Sequence, residues 1–285
     1  MPLKTQSASS MPLLMLNAQL YDAFKSAKSP GWTEIQVSPQ ACLSAHCYTE
    51  PFIQRAIARH RKLSAVLEKE DLGQQIQDDL LKSRRYNFLD ELVNEENDAE
   101  KIRGHVLNIL VAGRDTTASL LSSLFFTLAR RPDVFPKVQE EVTNLKGRGP
   151  TYEDTKEMKY LNYAIKETLR MYTVVQTNIR PANKDTILPS GGGLDGQSPI
   201  YVRKGQMVVY QSYLMHRRRD LWDPGANEFK PERWYEARPV FEYLPFNAGH
   251  RICPGQQFAI IEAAYTTICL CQAFDKIEAK DDGTP

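Results

Sequence analysis

Residues 246–255 read FNAGHRICPG. Cys253 stands between two cationic residues, His250 and Arg251, and an apolar run that opens with Pro254 and Gly255. Proline is favoured in the first turn of a helix, where the amide hydrogen it lacks would have no partner. The thiol is therefore expected at the positive end of a helix, where the dipole and the neighbouring cations favour ionised sulfur. A thiolate acts as a nucleophile or as a metal ligand. A nucleophile needs a base within reach; His250 is the local candidate, and this reading leaves Arg251 without a role. Zinc needs further Cys or His at short spacing, whereas Cys269 and Cys271 lie far along the same helix. A thiolate beside an arginine, with an aromatic ring at Phe246 and a permissive Gly249, suits a haem: iron on sulfur, a propionate on the guanidinium, porphyrin against the ring. The competing reading is a buried structural cysteine.

Other elements carry chemistry of their own. AGRDTT, Ala112 to Thr117, interrupts the apolar run from Val106 to Leu128. Charges at mid-span are costly in lipid, so the run reads as a helix buried in protein. Small residues at Ala112 and Gly113 let a ligand approach the backbone, and Thr116 can bond back to the Ala112 carbonyl and bend the helix. A kink with solvated polar groups is the alternative there. KETLR places Glu167 and Arg170 on one helix face at i,i+3, where they can pair; such pairs are usually solvated. His216, in MHRRRD, reads as part of a solvated basic loop.

Around these motifs the chain is mainly helical with a minor β part. Residues 50–97 are charged and helical in pattern, with Phe52, Ile53, Ile57, Leu63, Val66 and Leu67 near helical spacing, continued by Leu72, Ile76, Leu80 and Leu81. Lys101–Arg131 is the long helix, ended by Pro132 and Pro136. Thr151 is an N-cap candidate supported by Asp154. After Met171, short strands, the Gly191–Gly193 triplet and a Lys204-Gly205 turn suggest a hairpin. The triplet lacks a following Gly-Lys-Ser/Thr, which argues against phosphate binding. The closing helix spans about Gln256–Phe274, apolar on most sides and so expected to be buried. Pro30-Gly31 reads as a turn and TEIQV as a short strand.

Net charge is +1 over 285 residues, so the overall balance predicts no nucleic-acid or anionic-membrane partner. Five cysteines at irregular spacing read as reduced thiols of an intracellular protein. The first twenty residues lack the pattern of a signal peptide or anchor.

FNAGHRICPG resembles the haem-binding loop of the cytochrome P450 monooxygenases, Phe-x-x-Gly-x-Arg-x-Cys-x-Gly, at Phe246, Gly249, Arg251, Cys253 and Gly255. AGRDTT is similar to the family's oxygen-activating segment, KETLR to its Glu-x-x-Arg, and PERW supplies the later arginine, Arg233. The order of the elements also follows the family. The resemblance implies a mainly α, cytochrome P450-like fold with a small β part. It implies haem b with Cys253 as the axial thiolate on iron, and propionate contacts from Arg251 and Arg180. Thr116 would hydrogen-bond dioxygen and Asp115 would help deliver protons for O–O cleavage. Glu167, Arg170 and Arg233 would be structural. Electrons would come from NADPH through a flavoprotein reductase. LPSGGGLDGQSPIYVRKGQ and YLPFN look closest to fungal members that hydroxylate alkanes and fatty acids, which implies a lipophilic substrate oxidised at a C–H bond with O2.

The resemblance spans about Phe52 to Phe274, and a full-length member is nearly twice as long. The expectation is a chain truncated at the N-terminus and at the C-terminus. Residues 1–50 form a poorly defined segment, and residues 51–285 form a partial cytochrome P450 domain. The family implies the cytoplasmic face of the endoplasmic reticulum membrane; lacking the anchor, this chain is expected in the cytoplasm. Two functional readings follow: the monooxygenase, and a non-catalytic or vestigial haem-binding chain whose pocket does not close. A minor third keeps haem but uses peroxide or rearranges its substrate, against which Asp115 and Thr116 argue.

Overall fold

The computed structural model describes residues 39–69, 87–96, 98–222 and 225–279. The chain divides into two compact units, residues 1–112 and 113–285. Pro30-Gly31, TEIQV and the apolar positions from Leu72 to Leu81 lie outside the described residues.

In the first unit, α1 (Pro39–Lys69) and α2 (Phe88–Glu95) precede α3 (Ala99–Leu128), whose first half belongs here. Asn87 caps α2, its side chain accepting from the Leu89 amide at 3.0 Å. Ile53, Ala56, Val93 and Ile102 make a small core. Arg59 reaches Asp90 at 2.6 Å and Arg103 reaches Glu50 at 2.6 Å.

The second unit is built on helices. The later half of α3 is followed by α4 (Phe135–Thr143), α5 (Tyr152–Glu157), α6 (Lys159–Met171) and, at the end, α9 (Gln256–Ala273). Their shared core takes Leu120, Leu124 and Leu128 from α3, Val138 and Val142 from α4, Leu161, Ile165 and Leu169 from α6, and Ala264 and Ile268 from α9. The i, i+4 spacing on each helix is what puts these side chains on one face. Thr151 and Asp154 form a reciprocal capping box at the head of α5: the Asp154 amide donates to Thr151 Oγ1 at 3.2 Å, and the Thr151 amide donates to Asp154 Oδ2 at 2.7 Å.

Between α6 and α9 lie two antiparallel strand pairs. β1 (Thr177–Pro181) pairs with β4 (Met207–Gln211), and β2 (Thr186–Gly192) pairs with β3 (Ser198–Val202). The turn from β3 into β4 uses Gly205 at φ 83°, with Gln206 N donating to Arg203 O at 3.0 Å. Short helices α7 (Ser212–Met215) and α8 (Arg219–Trp222) and a 3-10 turn over Pro231–Tyr235 follow. The balance is mainly α with a small β part.

Three sequence expectations are corrected. The long helix runs Ala99–Leu128 rather than 101–131, and its middle is only partly buried: Ile109, Val111, Ala112 and Asp115 are exposed while Thr117 is buried, and Ile102, Leu120, Leu124 and Leu128 carry most of its apolar burial. α9 is likewise half-covered, with Ala263, Ala264, Thr267 and Ile268 inside and Phe258 68% exposed. In both cases apolar composition makes burial favourable but does not supply the surface that covers the helix. His216 is not in a solvated loop; it is fully buried. Among the described residues no helix is long and apolar enough to cross a membrane.

Candidate functional site

The loop that carries Cys253 is shaped by its backbone. Asn247 (φ 61°) and Gly249 (φ 64°) both take left-handed conformations, which glycine adopts without strain and asparagine tolerates better than most residues. Gly249–Arg251 form one 3-10 turn. The Cys253 amide then donates back to the Phe246 carbonyl at 2.9 Å, closing the loop. α9 starts at Gln256, as the sequence suggested. Gly255 is its N-cap and, having no side chain, accepts no capping hydrogen bond; Cys253 precedes the cap by two residues and Pro254 lies outside the first turn. A side chain at Gly255 would meet Cys253 Sγ at 3.8 Å.

Cys253 and Arg251 are exposed, and Phe246 packs partly against the main helical core. A Cβ added at Gly249, or at Gly113 in α3, would meet nothing within 4 Å. In α3, Asp115 is exposed and lies 3.4 Å from Arg114 Nε, Thr116 is half-buried, and the buried Thr117 Oγ1 has no hydrogen-bond partner. The sulfur is open and a side chain at either glycine would be unobstructed, which leaves this chain surface free to take a flat non-protein group. These residues fit a haem. Arg180, on β1, is half-buried; its Nη1 donates to the Ile179 carbonyl at 2.9 Å and its guanidinium lies over the Tyr210 ring at 5.6 Å.

Glu167, Arg170 and Arg233 are brought into direct contact. Glu167 and Arg170 are both fully buried. Arg170 Nη2 donates to Glu167 Oε1 at 2.8 Å and its Nε to Oε2 at 3.0 Å, while Arg233 Nε reaches Oε1 at 2.9 Å. Two further donors complete the carboxylate: the Lys230 amide at 3.0 Å and Trp234 Nε1 at 3.0 Å. Arg170 Nη1 donates onward to the carbonyls of His216 (2.8 Å) and Ala226 (2.6 Å). Charges removed from water are tolerated only with such complete pairing, and loss of one member would leave a buried charge uncompensated.

Sequence reasoning missed three groups. Trp234 and Lys230 join Glu167 from a turn that is remote in sequence. His216 bridges Thr173 Oγ1 (Nδ1, 2.9 Å) and the Leu244 amide (Nε2, 2.8 Å), with its ring 5.2 Å from that of Tyr243. Burial, with the Arg170 cation nearby, pushes its pKa down to about 4. Asn247 accepts from Tyr210 OH at 2.8 Å and donates to Asn178 Oδ1 at 3.1 Å. Its signal was present in the sequence, as an asparagine at a free position of a glycine-punctuated loop.

The second unit is thus a helical core with two strand pairs, in which an exposed cysteine stands two residues ahead of the cap of the last helix. A sequence profile described as Cytochrome P450 matches residues 17–285, beginning well before the Phe52 limit of the motifs. The chain belongs to the cytochrome P450 family. It is 47% identical over 236 residues to "Cytochrome P450 monooxygenase himC" of Aspergillus japonicus, covering 82% of this chain and 41% of the relative. It is 43% identical over 251 residues to "Cytochrome P450 52A13" of Debaryomyces hansenii (85% and 46%) and 47% identical over 209 residues to "Cytochrome P450 52A5" of Candida maltosa (70% and 40%). The chain spans less than half the length of these curated relatives.

Proposed function

We propose that the chain is the cysteine-bearing part of a haem-dependent monooxygenase that inserts one oxygen atom of O2 into a C–H bond of a lipophilic substrate, of fatty acid or alkane type. The observation that carries this is the exposed Cys253 thiol in a loop closed by its own amide on Phe246. Bound to such a thiolate, haem iron supplies O2 activation, with the sulfur pushing electron density toward O–O cleavage. The chain's own contributions are distinct. Cys253 Sγ holds the iron, and Arg251, with Arg180 on β1, holds the propionates. Gly249 and Gly113 leave room for the flat group. Thr116 Oγ1 orients a proton donor and the exposed Asp115 carboxylate takes protons from solvent and passes them inward. The two electrons come from NADPH through a flavoprotein reductase. Similarity to relatives named 52A13 and 52A5 supports the fatty acid or alkane class, and the family supports the endoplasmic reticulum membrane as the site of action.

The test is the carbon monoxide difference spectrum of the reduced, haem-loaded chain. A thiolate-type Soret band that is lost in Cys253→Ala is expected, together with turnover of a fatty acid when reductase and NADPH are added. A band without turnover would leave a non-catalytic haem-binding chain; a band that survives Cys253→Ala would overturn the ligand assignment.

A further inference from the structure

Asn247 occupies a position that the haem-loop pattern leaves free, yet both ends of its carboxamide are hydrogen-bonded. β1 and β4 are in register at Asn178 and Tyr210, which lie directly opposite each other across the strand pair. From these two positions one side chain donates to the Asn247 carboxamide oxygen and the other accepts from its nitrogen, at 2.8 and 3.1 Å. The orientation of the amide is thereby set by complementary partners on both sides. The Asn247 backbone is left-handed and its amide also reaches the Leu244 carbonyl at 3.4 Å. Six residues on is Cys253. Two residues from Asn178, on the same face of β1, is Arg180, whose guanidinium covers the Tyr210 ring.

We infer that Asn247 is a positioning residue that locks the cysteine loop to the β1–β4 pair, and so sets the Cys253 sulfur relative to Arg180. This role rests on the haem reading above. The physical reason is that a ligand held at two ends by two separate elements keeps its affinity only if those elements are registered to each other. A loop of alternating left-handed residues has no ladder of its own to do this. Supporting partners of this kind typically change metal affinity by roughly 10- to 100-fold when removed.

Two substitutions separate the side-chain tether from backbone preference. Asn247→Ala removes both hydrogen bonds; Asn247→Gly removes them while making the left-handed backbone more favourable. Two readouts are taken on the full chain. The first is hydrogen exchange of the Cys253 amide without haem, which reports the bond to Phe246. The second is the rate at which haem is lost to an apoprotein acceptor, with the reduced carbon monoxide spectrum. Both variants are expected to exchange Cys253 faster and to lose haem roughly tenfold faster or more. Tyr210→Phe should give a smaller change that vanishes in the Asn247→Ala background, and far-ultraviolet melting of each variant controls for folding. Wild-type exchange and haem retention in Asn247→Gly would show that only backbone conformation matters and would overturn the inference. Faster exchange with unchanged haem loss would overturn the positioning role and leave the haem reading intact. If the wild-type chain shows no thiolate-type band at all, the parent reading fails and this role fails with it, while hydrogen exchange still shows whether the tether exists.

Discussion

His216 is a neutral base held inside a polar joint. Its Nε2 accepts from the Leu244 amide, so Nδ1 carries the hydrogen and donates to Thr173 Oγ1, which itself lies near the carbonyls of Leu169 and Arg170. Burial, with the Arg170 guanidinium nearby, opposes a second proton on the ring and accounts for a pKa near 4. The sign follows from linkage. The unfolded chain protonates His216 near pH 6.5 while the native state does not, so stability is full above that pH and falls as pH drops toward 4. In that window the wild-type chain is expected to lose about 1.4 kcal/mol per pH unit more than His216→Gln, measured by urea unfolding of the haem-free protein. Equal slopes in the two would remove His216 as the cause. The sequence concealed this residue because Arg217, Arg218 and Arg219 follow it and its partners are 43 and 28 residues away. The loop around Cys253 is local by contrast: Phe246 and Gly255, which meet Cys253 in space, lie close to it in sequence.

At the scale of elements, locality again decides what could be read. The capping box at Thr151 and the Gly205 turn depend on residues three apart or fewer, and both stand in the structure where the sequence placed them. α9 is the contrary case. With apolar residues on most faces its sequence offers no stripe to choose, and only packing against α4, α5 and α6 selects the inward one. The two faces should respond differently to truncation. Ile268→Ala is expected to cost roughly 2–5 kcal/mol, and Phe258→Ala only about 0.5 kcal/mol or less, both read from denaturant midpoints of the haem-free chain. A large loss at Phe258 would mean that this face is covered in solution.

For the whole molecule, the proposed haem binding would be linked to folding as one equilibrium. A group that binds only the native chain adds about 2.7 kcal/mol at one hundred times its dissociation constant. Thermal melting with added haem should therefore show a rise in midpoint for the wild-type chain and a smaller rise for Cys253→Ala; equal rises would mean that affinity does not pass through sulfur. The family was legible from the motifs and their order. The division at residue 112 was not, because it falls inside a continuous helix that no turn signal marks.

Glu167 draws its distant partners from Lys230, Arg233 and Trp234, between 63 and 67 residues downstream. The helical contacts of α4 and α6 can form early, from nearby chain, but this carboxylate stays unsatisfied until the strands have been made and the chain has returned. Closure of so long a loop is an entropic toll met late on the folding route. The cysteine loop comes after that return in the chain. On the haem reading, Cys253 becomes available to the prosthetic group only after the partners of Glu167 have been made.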